Sequence, residues 1–97
     1  MRALLILLTG KSIMVVKLGV IGLSAGNGHP YSWSAIINGY NPEVMKNCGF
    51  PVISEYLAKQ TFPGDCIPNA EVTHVWTEDI NLSKHIAKAA NVLHVAE

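Results

Sequence analysis

The chain alternates between short apolar runs and segments with helical periodicity. Residues 15–21 form a mostly apolar run that ends at a glycine, a pattern typical of a strand buried on both faces of a parallel sheet. Residues 71–77 are rich in β-branched and aromatic residues, and residues 92–95 are apolar except for His94, so each predicts a further strand. A helix is predicted to begin at Pro30, a residue suited to a first helical position, and another over residues 82–90.

The first predicted helix carries one apolar stripe. Its members fall at helical spacing, i, i+3, i+4 and i+7, which predicts that they pack against the sheet: Trp33, Ile36, Ile37 and Tyr40. The Asn38-Gly39 pair limits this helix to about three turns.

The segment 41–70 is predicted to be an irregular insertion. Asn41 can cap a short helix that begins at Pro42, and Ser54 can cap another over residues 55–60, while prolines stop anything longer. Asn81 can cap the helix over residues 82–90. The element order predicts an α/β fold, a partial Rossmann-like parallel sheet of βαβαβ type. We divide the chain into an extension, 1–14, and a partial dinucleotide-binding domain, 15–97, with the insertion inside it.

Composition narrows the set of partners. Seven basic and seven acidic residues give a net charge of zero, so neither nucleic acid nor a membrane surface is expected as a main partner. Charged residues make up only 14% of the chain and apolar residues 49%, which predicts a domain with a small core and a more apolar composition than usual for its size. Cys48 and Cys66 form no metal or disulfide motif, so free, inert thiols and a cytoplasmic location are expected.

A glycine-rich turn follows the first predicted strand and precedes the first predicted helix. Such a turn lets backbone N–H groups approach a pyrophosphate at the positive end of a helix. Counted from Gly22, the dinucleotide fingerprint expects glycine at positions 24 and 27, where this chain has serine and asparagine. The candidate cofactor-binding residues of the turn are Gly22, Ser24, Gly26, Asn27, Gly28 and His29. The alternative is a connection that uses glycine only for positive φ angles.

An acidic residue follows the second predicted strand. The carboxylate of Asp79 can accept hydrogen bonds from both ribose hydroxyls of an adenosine, which favours NAD over NADP as the cofactor. Glu78 is a competing candidate one position earlier. The alternative for either acid is a charge at a helix N-terminus, stabilised by the helix dipole.

Two other chemistries are weighed against the dinucleotide hypothesis. Residues 22–26 match the GxSxG letters of a nucleophile elbow around Ser24, with Asp79 and then His85 or His94 as partners, so a serine hydrolase fragment is an alternative. That motif stands earlier in the chain than such elbows usually do. His74, His85 and His94 fall on different predicted elements, and no metal site is expected.

These segments resemble the Gfo/Idh/MocA oxidoreductases, named for glucose–fructose oxidoreductase, inositol dehydrogenase and a rhizopine-catabolism protein. Residues 17–24 and 26–30 look like that family's first strand and turn, 72–79 and 82–90 like its second strand, acid and helix, and 94–97 like its third strand. The resemblance implies NAD(P)-dependent oxidation or reduction of a hydroxyl or carbonyl on a sugar-like small-molecule substrate. It places the turn residues around the pyrophosphate and Asp79 at the ribose.

The resemblance also implies parts that these 97 residues do not contain. In that family a Glu-Lys-Pro-type segment after a fourth strand supplies a catalytic lysine, and a second domain forms the substrate pocket. The catalytic residues are therefore unknown here, and an open sheet edge beside the first strand is expected, through which a homo-oligomer could form. A non-catalytic nucleotide-binding or assembly module is the other alternative.

Overall fold

The computed structural model describes residues 14–22, 26–62 and 64–97, which form a three-stranded sheet and four helices. Ser24 and the extension up to position 13 lie outside the described residues. The elements in chain order are β1 Val16–Ile21, α1 His29–Asn38, α2 Pro42–Met45, α3 Pro51–Ala58, β2 Ala70–Trp76, α4 Ile80–Ala89 and β3 His94–Val95. The predicted α/β class and βαβαβ order are confirmed, and two short helices lie in the segment predicted as an insertion.

The three strands are parallel and lie in the order β1-β2-β3, as in one half of a Rossmann-like sheet. Val16 pairs with Ala70 and Ile21 with Trp76, with an irregularity in register between Leu18 and Gly19. Strand β2 is therefore central. Within the described part of the chain, β1 and β3 are the edge strands.

One face of the sheet packs against α1 and α4. Val72 and Val75 of β2 are fully buried, together with Ile86 and Ala89 of α4. Ile21 of β1 follows Val20, the register partner of Val75, so it points to the opposite face, where it is 80% exposed. The prediction that the first strand is buried on both faces is thus wrong for the described residues, because the helices cover one face only.

The buried face of α1 differs from the predicted stripe. Tyr31, Ser34 and Ala35 are buried, whereas Trp33 is 57% exposed, so its assignment to the core was wrong. The side chain of Asn38 explains the rotation: its Nδ2 donates to the Val72 carbonyl at 2.9 Å and its Oδ1 accepts from the Val72 N–H at 2.8 Å. Two hydrogen bonds to one residue of β2 fix which side of the helix meets the sheet.

The rest of the stripe lies at the margin of the core. Ile36, Ile37 and Tyr40 are half-buried and pack against it. Tyr40 also meets the ring of Phe62 edge-on, with centroids 5.4 Å apart. The predicted core position of Tyr40 is therefore confirmed in part.

The helix ends show which local signals were correct. Asn41 caps α2 as predicted, since its Oδ1 accepts from the N–H groups of Glu43 and Val44. The caps predicted at Ser54 and Asn81 are wrong, because α3 begins earlier, at Pro51, and α4 is capped by Asp79. Among the described helices, none is long and apolar enough to cross a membrane.

Candidate functional site

The glycine turn and the acidic residue lie at the same edge of the sheet. The N–H of Gly22 donates to the carbonyl of Trp76 at 2.7 Å, so β1 and β2 end side by side. Asp79 follows β2 by three positions. The carboxyl ends of parallel strands are where open α/β sheets bind ligands, and the structure brings these two predicted elements to that edge.

The described glycines of the turn serve two different purposes. Gly22 and Gly26 have φ angles of +83° and +77°, which side chains disfavour, and a Cβ on either would meet no atom within 4 Å. Gly28 is buried, and a Cβ there would lie 2.5 Å from Cδ1 of Ile53 and 2.8 Å from Cδ2 of Phe50. Gly28 therefore allows α3 to pack against the start of α1.

The N-cap of α1, Gly28, has no side chain, so the N–H groups at the start of this helix find other acceptors. The His29 N–H donates to Oδ1 of Asn27 at 3.0 Å, and the Tyr31 N–H donates to the Gly28 carbonyl at 2.9 Å. Pro30 has no N–H. A phosphate at this edge would thus be bound by the backbone of the turn itself rather than by the first N–H groups of the helix.

Asp79 is the N-cap of α4. Its Oδ1 accepts from the N–H groups of Asn81 at 2.9 Å and Leu82 at 3.4 Å. The helix-start role weighed for this acid is confirmed, and it is Asp79 rather than Glu78 that performs it. A carboxylate has about four acceptor positions on its two oxygens, so the cap leaves acceptor capacity for a ligand hydroxyl. The ribose-binding role stays a prediction.

Buried hydroxyl groups also stabilise the connection between β2 and α4. The Thr77 N–H donates to Oγ of Ser83 at 2.9 Å, and the two hydroxyl oxygens lie 2.7 Å apart. Oγ1 of Thr77 also donates to the Asp79 carbonyl at 2.7 Å. Both Thr77 and Ser83 are buried, so this network fixes where β2 ends and α4 begins.

A cavity of about 820 Å³ opens beside the glycine turn, between α1 and α3. We call it the α1–α3 cavity. It was not predicted, because its second wall comes from the insertion. The lining residues used below are Asn27, His29, Ser32, Trp33, Val52 and Tyr56. Two apolar residues on its α3 wall are exposed, Val52 by 75% and Tyr56 by 48%.

His29 and Trp33 form one wall of this cavity. Their rings are stacked, with centroids 4.5 Å apart and planes inclined by only 7°. They stand one helical turn apart at the start of α1. The predicted candidate His29 thus lies in a cavity next to the turn, where its ring orients an indole.

The remaining histidines divide into two environments. His74 and His94 are register partners on β2 and β3, with ring centroids 4.8 Å apart. Nδ1 of His85 lies 2.7 Å from the hydroxyl oxygen of Tyr31, and burial raises the pKa of that tyrosine to about 12. His85 therefore joins α4 to α1 through this hydrogen bond. No group of three metal-ligating side chains occurs among the described residues.

Both cysteines are free thiols, as predicted. Cys48 is buried, and its Sγ lies 3.4 Å from the Phe50 carbonyl oxygen. Burial, and then the neighbouring charge of Asp65, raise the pKa of the Cys66 thiol. A raised pKa keeps a thiol protonated and weakly nucleophilic at neutral pH.

Comparison with protein-family models, with curated proteins and with solved structures gave no match to this chain.

Proposed function

We propose that this chain is the cofactor-binding part of an NAD(P)-dependent oxidoreductase of the Gfo/Idh/MocA type, acting on a hydroxyl or carbonyl of a sugar-like substrate. The observation that carries the proposal is the hydrogen bond from the Gly22 N–H to the Trp76 carbonyl. It joins the ends of two parallel strands, one followed by the glycine turn and the other by Asp79. A pyrophosphate and an adenosine ribose need these two groups at one sheet edge.

The proposed division of labour follows from the chemistry of each segment. The backbone of the turn at Gly26 and Gly28 approaches the pyrophosphate, since neither residue carries a side chain. The Asp79 carboxylate accepts hydrogen bonds from ribose hydroxyls while its Oδ1 holds the start of α4. Its negative charge opposes a 2′-phosphate, which favours NAD over NADP. When bound, the nicotinamide ring supplies the hydride chemistry, and the protein orients it.

A calorimetric titration of the chain with NAD and with NADP tests this function. We expect NAD to bind more tightly. Asp79→Asn retains an N-cap, because asparagine caps about as well as aspartate, but removes the charge. It should weaken NAD binding about tenfold, the order expected for a lost charge-assisted hydrogen bond. It should also reduce the preference of the chain for NAD over NADP.

Glu78→Gln is the matched control, since it removes the same charge one position earlier on an exposed residue. It should leave the affinity for NAD unchanged. Failure of the unmodified chain to bind either dinucleotide would overturn the proposal. An effect of Glu78→Gln equal to that of Asp79→Asn would show that ribose recognition does not depend on Asp79.

The alternatives predict different results in the same experiments. A non-catalytic nucleotide-binding module also binds the dinucleotide, and an assembly module binds none. A serine hydrolase fragment reacts with a serine-directed phosphonate at Ser24, and Ser24→Ala abolishes the labelling. Among the described residues, Asp79 caps α4 and His85 forms a hydrogen bond with Tyr31. No hydrogen bond joins Asp79 to His85 as an acid–histidine pair there.

A further inference from the structure

The α1–α3 cavity has the size of a small-molecule site. Its volume of about 820 Å³ lies within the range of roughly 300–1,000 Å³ that ligand pockets occupy. It shares residues 26–29 with the glycine turn but is not lined by Gly22 or Asp79. The cavity is therefore distinct from the position proposed for the adenosine ribose.

Aromatic side chains stand on both walls of the cavity. Trp33 of α1 is 57% exposed and Tyr56 of α3 is 48% exposed, and both line it. The indole is held in place by its stacking on His29. An aromatic ring that is both accessible and fixed in orientation offers a flat surface on which another ring can stack at little cost in conformational entropy.

The polar and charged character of the lining restricts the ligand further. The polar lining residues Asn27, His29 and Ser32 come from the glycine turn and the first turn of α1, and the Tyr56 hydroxyl belongs to the α3 wall. Among the lining residues in the described part of the chain there is no lysine, arginine, aspartate or glutamate. A phosphate would lack such a cationic partner there, and a sugar would bring more hydroxyl groups than these few side chains satisfy. A neutral ring with polar groups at its edge matches this lining.

We propose that the α1–α3 cavity binds a neutral, planar heteroaromatic ring, stacked on Trp33 and hydrogen-bonded at one edge by Asn27 or Ser32. Purine bases and nicotinamide share this chemistry. The site goes beyond the proposed dinucleotide function, because none of its evidence depends on Asp79 or on a pyrophosphate. A chain that failed to bind NAD could still bind the ring, and the reverse also holds.

The test compares Trp33, which lines the cavity, with Leu93, which lies outside it. Calorimetric titrations with adenosine and with nicotinamide are compared with titrations of glucose and inositol. We expect one of the two ring compounds to bind and both sugars to fail. Trp33→Ala should weaken ring binding at least about fivefold, the lower limit for the loss of one base–aromatic stack. Leu93→Ala, at a 70% exposed residue outside the cavity, should not.

A second pair of variants covers the case in which Trp33→Ala unfolds the chain. Val52 lines the cavity and is 75% exposed, whereas Leu93 lies outside it and is 70% exposed. Val52→Glu should weaken ring binding and Leu93→Glu should leave it unchanged. Binding of adenosine identifies a purine site, and binding of nicotinamide alone identifies a pyridine site. Failure of both rings to bind, tighter binding of a sugar, or equal effects of the paired variants would overturn the proposal.

Discussion

The two strand-to-helix connections at the carboxyl edge of the sheet are built in opposite ways. Between β2 and α4, Thr77, Asp79 and Ser83 bond one another and the backbone, and together they fix the helix start. Between β1 and α1, the N-cap is Gly28, which has no side chain to donate or accept. The helix start of the first connection is stabilised by its own polar side chains, whereas the N-cap of the second is a glycine that lines a cavity.

This difference separates a structural connection from a candidate binding connection on the same sheet. A ligand at the β2–α4 connection meets a carboxylate that already has a structural task. A ligand at the β1–α1 connection meets glycine backbone and an aromatic wall. The substitutions of Gly28, Ser83 and Asp79 below act on one connection or the other, and each is compared with a second variant.

The largest effect is expected for Gly28→Ala. A Cβ at this position would press on Phe50 and Ile53 at distances below 3 Å, so α3 must shift or these two side chains must leave their rotamers. We expect a loss of about 3 kcal/mol in the free energy of unfolding, at the upper end of overpacking costs. Gly26→Ala is the control: it meets only the left-handed backbone, which costs about 1–2 kcal/mol. Urea unfolding of both variants measures this, and equal losses would contradict the packing role of Gly28.

Ser83→Ala tests the hydroxyl network of the β2–α4 connection. It leaves the buried Thr77 N–H without its acceptor and should cost about 2 kcal/mol. Ser34→Ala is matched in burial and chemistry, but Oγ of Ser34 has no hydrogen-bond partner among the described residues, so its loss should be close to neutral. Chemical denaturation of the two variants gives the comparison. Similar costs would show that the network does not stabilise the connection.

Tyr31 and His85 link the helices that begin at the two connections. Burial, and then Cys48, raise the pKa of Tyr31 to about 12 from 10.0, so the folded chain keeps a proton that the unfolded chain releases. The stabilisation is complete below pH 10.0 and is lost as the pH rises towards about 12. The slope is at most about 1.4 kcal/mol per pH unit. Tyr31→Phe should remove this slope in alkaline unfolding curves, and an unchanged slope would contradict the burial of the phenol.

The smallest effect concerns the cap of α4. Asp79→Ala should lower the free energy of unfolding by about 1 kcal/mol, the usual cost of losing an N-cap. Asp79→Asn should cost only a few tenths, because the amide oxygen still accepts the same bonds. Thermal unfolding distinguishes the two variants. A large loss for Asp79→Asn would mean that the charge, rather than the cap, stabilises the connection.

The fold was predictable from the sequence because its strands and helices carry strong local patterns. The α1–α3 cavity was not predictable, because it depends on how α3 packs against α1. No sequence pattern in residues 41–70 indicates that packing. Trp33 was misassigned for a related reason. Periodicity counts apolar side chains, but the rotation of α1 is fixed by the polar side chain of Asn38, which bonds Val72 across 34 positions of the chain.

The site was predictable in its location and only partly in its roles. Gly22 and Asp79 were predicted at one sheet edge, and the structure brings the ends of their strands together. The sequence could not show that Asp79 is also a helix cap, because Asn81 carried an equally good capping signal two positions later. Nor could it distinguish Gly28, which allows α3 to pack closely, from Gly26, which adopts a positive φ angle.

The central claim is that the β1–α1 connection binds a dinucleotide together with Asp79. Amide chemical shifts of the isotope-labelled chain, followed by NMR during addition of NAD, test it most directly. We expect the largest shifts at Gly22, Gly26, Gly28 and Asp79, with little change at His74 and His94 on β2 and β3. Absence of any shift, or shifts confined to those two histidines, would contradict it.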